Sequence, residues 1–320
     1  MELRQLRYFI GIVEAGSVTR AAQYLHIAQP ALSAQIANLE AELGVLLLVR
    51  SVRGVTCTEA GYTFYKHAQQ ILRHCSQALA ATRASGDDVS GTVSVGMPSS
   101  VVALAGVVLL RQIASAYPNI RLQLTDSPSA YLTELLLRGR LDIAILFAGE
   151  PLKGLVCKSL FTESLLFIQR AEPSAPAEIL GDVPLAEVAP HQLVLPIHPN
   201  ALRIQVDAAF ATLGLKPHLF AEINSLSILA QVAASGIAAT INSWSTVARE
   251  LDAGLLTARR IVEPEITRTI AICHSDVAPL SGATGVVYSQ IKTLIADLVQ
   301  QGSWRGASRI DTEKQGYPPA

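Results

Sequence analysis

The sequence predicts an α/β protein of two unequal parts, a small and mostly helical N-terminal domain followed by a larger domain of two α/β lobes. Three observations lead there. Up to about residue 84, apolar residues recur at helical spacing, interrupted by one short strand-turn-strand pattern. The small, polar and acidic stretch SGDDVSG at 85–91 then breaks the pattern and marks a hinge. Beyond it, strand-like and helical runs alternate, the order that parallel βαβ units require. A chain of 320 residues, 50% hydrophobic and 16% charged, is long and apolar enough for two or three packed units.

In the first part, Leu3, Leu6, Phe9, Ile10 and Val13 share one helical face, and Gly16-Ser17 ends that helix and caps the next. SVTRAAQYL is short and alanine-rich, HIAQ breaks it, and PALSAQIANLEAEL opens with a proline suited to a first helical turn. Gly44 closes this third helix. LLLVRSVRGVTCTEAG then reads as a strand, a turn at Arg53-Gly54 and a second strand. The arrangement is an all-α-type winged helix-turn-helix over residues 1–58.

Residues 59–91 follow as a long linker helix and its hinge. Phe64, Ala68, Ile71, Leu72, Cys75, Ala78, Leu79 and Thr82 form one apolar stripe, suited to pairing with a copy of itself. The second part spans 92–302. TVSVGM, VVALAGVVLLRQIASAYP, IRLQLTD, AYLTELLLRG and LDIAILF build a first lobe, about 92–161 and 268–302. After VCKSLF and SLLFIQR, a second lobe of similar construction covers about 162–267, with helices near 201–213 and 226–234 and strands LVLPI, HLFAEI and IAATI. TRTIAICHS and a helix near 284–300 return to the first lobe, and residues 303–320 read as a loosely ordered tail.

Composition narrows the functions. Cys57, Cys75, Cys157 and Cys273 are scattered with no C-x-x-C pair, which predicts reduced thiols. The seven histidines show no metal spacing, and nucleophile elbow, phosphate-cradling glycine loop and zinc motif are all missing, so neither an enzyme nor a metal or other cofactor is expected. The opening MELRQLRYFI lacks the features of a secretory signal and no apolar run approaches about 20 residues, which predicts a cytoplasmic protein without a membrane partner. A net charge of -1 places any nucleic-acid contact in local geometry rather than in bulk charge.

That local geometry is the helix-turn-helix. With Leu32, Ile36 and Leu39 inward, a 100° step per residue turns Pro30, Ser33, Ala34, Ala37 and Asn38 outward, with Gln29 at the open N-terminus. Such a face fits the major groove. The Gln29 amide can pair with adenine, Ser33 can bond to a base or phosphate, and Pro30 and Ala34 can touch a thymine methyl.

SVTRAAQYLHIAQPALSAQIANLEAELG followed by VRSVRGVTCTEAG resembles the N-terminal signature of LysR-type transcriptional regulators, and the chain to about residue 300 follows that family's layout. HIAQPALS and RGVTCTEAG are most similar to its nitrogen-assimilation-control branch. The resemblance implies a linker-helix dimer, tetramers built as dimers of dimers, and a C-terminal periplasmic-binding-protein-like domain for a small-molecule effector. It also implies binding to an interrupted inverted repeat in double-stranded promoter DNA, with RNA polymerase as a candidate partner. Carried over by position, Gln29, Pro30 and Ser33 match the DNA-contacting part of the recognition helix, and Arg50 and Arg53 match the basic residues flanking the wing. Two departures stand out: no Lys or Arg occurs from Gln29 to Glu40, and Ala34 stands where relatives carry a long polar or basic side chain.

Two lobes leave a cleft, and ligands in such folds sit beyond strand C-termini near helix N-termini. Ser99 and Ser100 follow TVSVGM and precede a helix, while HPNALR places His198, Asn200 and Arg203 around another helix start. The resemblance implies effector contacts in that second neighbourhood. Ser127, Phe147 and Ser225, at further strand ends and helix starts, complete the candidates, each with helix capping or plain packing as its rival role.

Overall fold

The computed structural model describes residues 1–51, 54–83, 89–148, 152–172, 179–276, 280, 282–308 and 310. Arg53, most of the hinge stretch and the last ten residues lie outside that set.

The head consists of α1 (Leu3–Ala15), α2 (Val18–Tyr24) and α3 (Gln29–Leu43), followed by the wing strands β1 (Leu48–Ser51) and β2 (Gly54–Cys57). Gly16 takes the left-handed conformation that stops α1, and the Ser17 hydroxyl accepts from Arg20 N at 3.4 Å to start α2. Phe9, Ile12, Ala21, Ala22, Leu32, Ile36 and Leu39 form the shared core. The two alanines bring α2 close to its neighbours, and each fully buried Leu, Ile or Phe contributes roughly 1.5–3 kcal/mol. The linker helix α4 (Glu59–Arg83) joins this core through Tyr65, with Phe64 packed beside it and edge-on to Phe9.

Lobe I opens with β3 (Gly91–Met97), from which α5 (Ser99–Val101), a π turn (Val102–Gly106) and α6 (Val107–Ala116) continue as one helix. Next come β4 (Ile120–Asp126), α7 (Ser129–Leu137) and β5 (Ile143–Ala148). β3 pairs in parallel with β4 and β5, as βαβ connections demand. The helix Ser99–Ala116 has the length and hydropathy of a membrane span, contrary to the expectation that no apolar run comes near that length. Its Val101, Ala105, Leu109 and Ile113 belong to the lobe core.

The two expected strands VCKSLF and SLLFIQR are one, β6 (Leu155–Arg170), which runs through both lobes. Lobe II adds β7 (Ile179–Pro184), α8 (Leu185–Val188), β8 (Leu193–Leu195), α9 (Ala201–Thr212), β9 (Leu219–Glu222), α10 (Leu226–Ser235), β10 (Thr240–Ser243), α11 (Trp244–Asp252) and β11 (Leu256–Val262). β12 (Thr267–Ser275) and α12 (Gly282–Gln300) return to lobe I. The main sheet has the order β4-β3-β5-β12-β6-β11-β7, with β10 also on β6. Residues 155–164 of β6 pair with β12 and residues 165–170 with β10 and β11, so the lobes divide between Ser164 and Leu165.

Two further expectations are corrected. Cys157 and Cys273 are not free thiols but form a disulfide, because a register shift between Ile270 and Ala271 sets them directly opposite on antiparallel β6 and β12. Cys57 and Cys75 are free. The tail is not loose over 303–308, where Trp304 is buried in the lobe I core and β13 (Ala307–Ser308) pairs with β6.

Candidate nucleic-acid interface and inter-lobe cleft

The buried face of α3 is Leu32, Ile36 and Leu39. Gln29, Pro30, Ala34 and Asn38 are therefore exposed together, and Ser33 is half-buried beside them with its hydroxyl 3.4 Å from Gln29 Nε2. The N-cap, Ala28, has no side-chain acceptor, which leaves the first backbone N–H groups of α3 open to an anion. Among these residues only the helix dipole carries positive charge.

The wing stands at a fixed place relative to this face. Glu40, on α3, accepts from Leu47 N at 2.7 Å and Leu48 N at 3.0 Å through one carboxylate oxygen. Val55 N donates to Gly16 O at 3.0 Å, and a Cβ on Gly54 would lie 2.6 Å from that same oxygen, where φ is also +125°. Gly61 on α4 is closer still: a Cβ there would meet Leu47 O at 1.9 Å. These backbone approaches hold exposed Arg50, opposite Val55 on the wing, at a set distance from α3.

Between the lobes lies a cleft of about 90 Å³ lined on one side by Pro98, Ser99, Ser100, Ser127, Pro128 and Phe147. Pro196, Asn200, Leu202, Asn224 and Leu226 face them, and Asn242, Thr246 and Arg268 close the end. Ser99 donates to Asp126 Oδ1 at 2.6 Å, and Ser127 donates to Asp126 O at the same distance. Asn200 Oδ1 caps α9 by accepting from Leu202 N at 2.9 Å.

Among the described lining residues, Arg268 is the one that carries a charge, and that charge is already matched. It is 5% exposed and pairs with Glu163, which is 2% exposed. It also donates to Ser243 Oγ at 2.7 Å and lies 3.8 Å over the Phe147 ring. The second Glu163 oxygen accepts from Trp304 Nε1 at 2.9 Å. Asn242 Oδ1 accepts from Ser243 N and Thr246 Oγ1, which fixes the amide and leaves its buried Nδ2 without a partner. The end of the cleft is thus a neutral, buried network.

Of the effector candidates, Ser99, Ser100, Ser127 and Phe147 meet in the cleft. His198, Arg203 and Ser225 are not among its lining residues. Arg203 is buried against Asp207 at 2.9 Å, Glu222 and Pro196 O, and His198 Nε2 lies 3.3 Å from Asp207. The Ser225 hydroxyl is 3.0 Å from that of Ser227. Asn224, Asn242, Thr246 and Arg268 are lining residues that the sequence pattern does not single out. Asp207, four residues after Arg203, was the available sign that this arginine is structurally engaged. Among the described residues there is no group of three or more His, Cys, Asp or Glu that could hold a metal ion.

Residues 3–62 match the bacterial regulatory helix-turn-helix protein family of lysR type, and residues 86–294 match the LysR substrate binding domain. The nitrogen assimilation regulatory protein nac of Klebsiella aerogenes is 36% identical over 92% of this chain and 96% of its own. A full-length OxyR variant from Pseudomonas aeruginosa superposes with a TM-score of 0.68 at 25% identity, covering 92% of this chain and 98% of that one. CbnR in complex with its target DNA shares the fold, with a TM-score of 0.62 at 23% identity over 92% and 100% of the two chains.

Proposed function

The chain belongs to the LysR family of DNA-binding transcriptional regulators, and from that premise we propose that it binds an interrupted inverted repeat near promoters and answers to a small molecule in the inter-lobe cleft. The observation that carries this reading is the shared exposure of Gln29, Pro30, Ala34 and Asn38 beside a wing fixed to the same helix. Gln29, Pro30, Ser33, Ala34 and Asn38 enter the major groove, and Arg50 and Arg53 reach phosphates on either side. With so few cations, affinity rests on the α3 dipole, on DNA shape and on two heads acting together.

Two heads follow from the linker helix, whose stripe continues to exposed Ala78 and Leu79. Paired linker helices make the dimer, and dimers pair into tetramers. An effector touching Ser99, Ser100, Ser127 and Phe147 from lobe I changes the angle between the lobes, and the linker helices carry that change to the spacing of the heads. The protein acts in the cytoplasm beside RNA polymerase and catalyses no reaction. The role of nac makes genes of nitrogen assimilation the first targets to look for.

Regulation without an effector is the second reading. It is favoured by Arg268, whose charge is satisfied by Glu163 before any ligand arrives.

Selection of sheared genomic DNA by the purified full-length protein at physiological salt tests both. An enriched interrupted inverted repeat next to promoters supports the regulator, and repeating the selection with cell metabolites separates the two readings. Absence of enrichment in both experiments overturns the proposal.

A further inference from the structure

Helix α7 has one end at the cleft and the other at the linker helix. At its start, Ser127 and Pro128 line the cleft, and Ser129 Oγ accepts from Phe147 N at 3.2 Å. At its end, Arg138 Nε donates to the Tyr62 hydroxyl at 3.1 Å, and its guanidinium lies 5.4 Å over the Tyr62 ring. Glu134, one turn back on α7, pairs with the same arginine and orients it. Gly139 follows at φ +65°, and a Cβ there would lie 3.1 Å from Gln70 Cγ. The end of α7 therefore meets α4 at two places, two turns apart.

Both elements are stiff on either side of this contact. α7 is packed through Leu132, Leu135 and Leu136 on β5 and β12. On α4, Tyr65 is buried and donates to Glu14 of α1 at 3.1 Å. Burial, and then the Glu14 carboxylate, pushes the Tyr65 phenol up to about 12, so it remains a neutral donor at physiological pH. Cleft wall, α7, α4 and the DNA-binding head thus follow one another through packed or hydrogen-bonded contacts.

We infer that Arg138 is a positioning residue, a latch whose bond to Tyr62 sets the angle at which the linker helix leaves lobe I and so the separation of paired heads. The contact is half-exposed and made by one planar guanidinium, so it can open without unfolding either element. The inference rests on the inverted-repeat reading above for its consequence on DNA, but not for the latch itself.

Full-length Arg138→Ala, Tyr62→Phe and Arg138→Lys are compared with the parent. In Arg138→Ala, amide hydrogen exchange over residues 59–72 rises by about threefold or more while α1 and β3 exchange as before. On the selected repeat with its spacer changed by one to three base pairs, Arg138→Ala and Tyr62→Phe bind all spacings alike, whereas affinity for a single half-site stays within about twofold. Arg138→Lys keeps the cation over the ring and restores part of the spacing preference. Unchanged exchange in α4, or a spacing preference as sharp as the parent's, overturns the inference. If the parent itself selects no repeat, the regulatory reading fails and exchange alone decides the latch.

Discussion

In the head, one half-buried carboxylate holds backbone and the exposed face of α3 from Gln29 to Asn38 is free of charge; Glu40 fixes the wing while Gln29, Pro30, Ala34 and Asn38 face solvent. In the cleft the order is reversed. Its Arg268 charge sits at the surface of the site but is neutralised from behind by Glu163, with Trp304 bracing that carboxylate. The difference shows which side chains can be exchanged freely. The exposed face of α3 can change without touching the fold, whereas the closed end of the cleft cannot change without it.

Substitutions can break this contrast. The largest effect is expected from Glu163→Gln, which leaves Arg268 as a buried charge without a counterion at a cost of about 3–5 kcal/mol. It should appear in the urea unfolding transition of the effector domain; a destabilisation below about 1 kcal/mol would mean that water already reaches Arg268. Gly61→Ala forces a methyl group onto Leu47 O and should cost about 1–3 kcal/mol or more. It should displace the wing, and unaltered DNA affinity in a folded Gly61→Ala protein would show that wing placement does not matter.

Gln29→Ala should leave stability unchanged and remove about 1–3 kcal/mol of discrimination between specific and random DNA. Equal weakening on both DNAs, measured by fluorescence anisotropy, would exclude a base contact. Smallest is Arg50→Ala, which should weaken binding to all sequences and make the dependence of log K on log salt shallower by about 0.9 for each phosphate left unneutralised. An unchanged slope would place Arg50 away from the backbone.

The same contrast explains what could be read in advance. The head was legible because its signals lie within a short stretch: the inward Leu32, Ile36 and Leu39, the proline at the start of α3, and the alanines of α2. Ser99, Ser100, Ser127 and Phe147 were legible because they sit where a strand gives way to a helix, and such junctions gather at one edge of a parallel sheet. Arg268 sits near the start of a strand and finds its partners Glu163 and Ser243 far away in the sequence, while Asn242 lies just past the expected strand IAATI, where no pattern marks it as a lining residue. Arg203 misled for the converse reason, since a helix-start arginine suggests an anion until its partners Asp207 and Glu222 are known. The Cys157–Cys273 pair spans 116 residues and depends on a strand irregularity that no periodicity announces.

The burial of Trp304 bears on where the effector domain stops. The match to known substrate binding domains ends at residue 294, but the indole that holds Glu163 lies ten positions later, and Gly306 O accepts from Ser164 N at 3.0 Å beside the point where β6 changes partners. A polypeptide cut at the end of the recognisable homology would stop inside α12, one residue short of Ile295 of the lobe I core, and would also lose the bolt that secures its hinge. Dissection of this regulator by sequence similarity would therefore yield a domain looser than the one the intact chain contains.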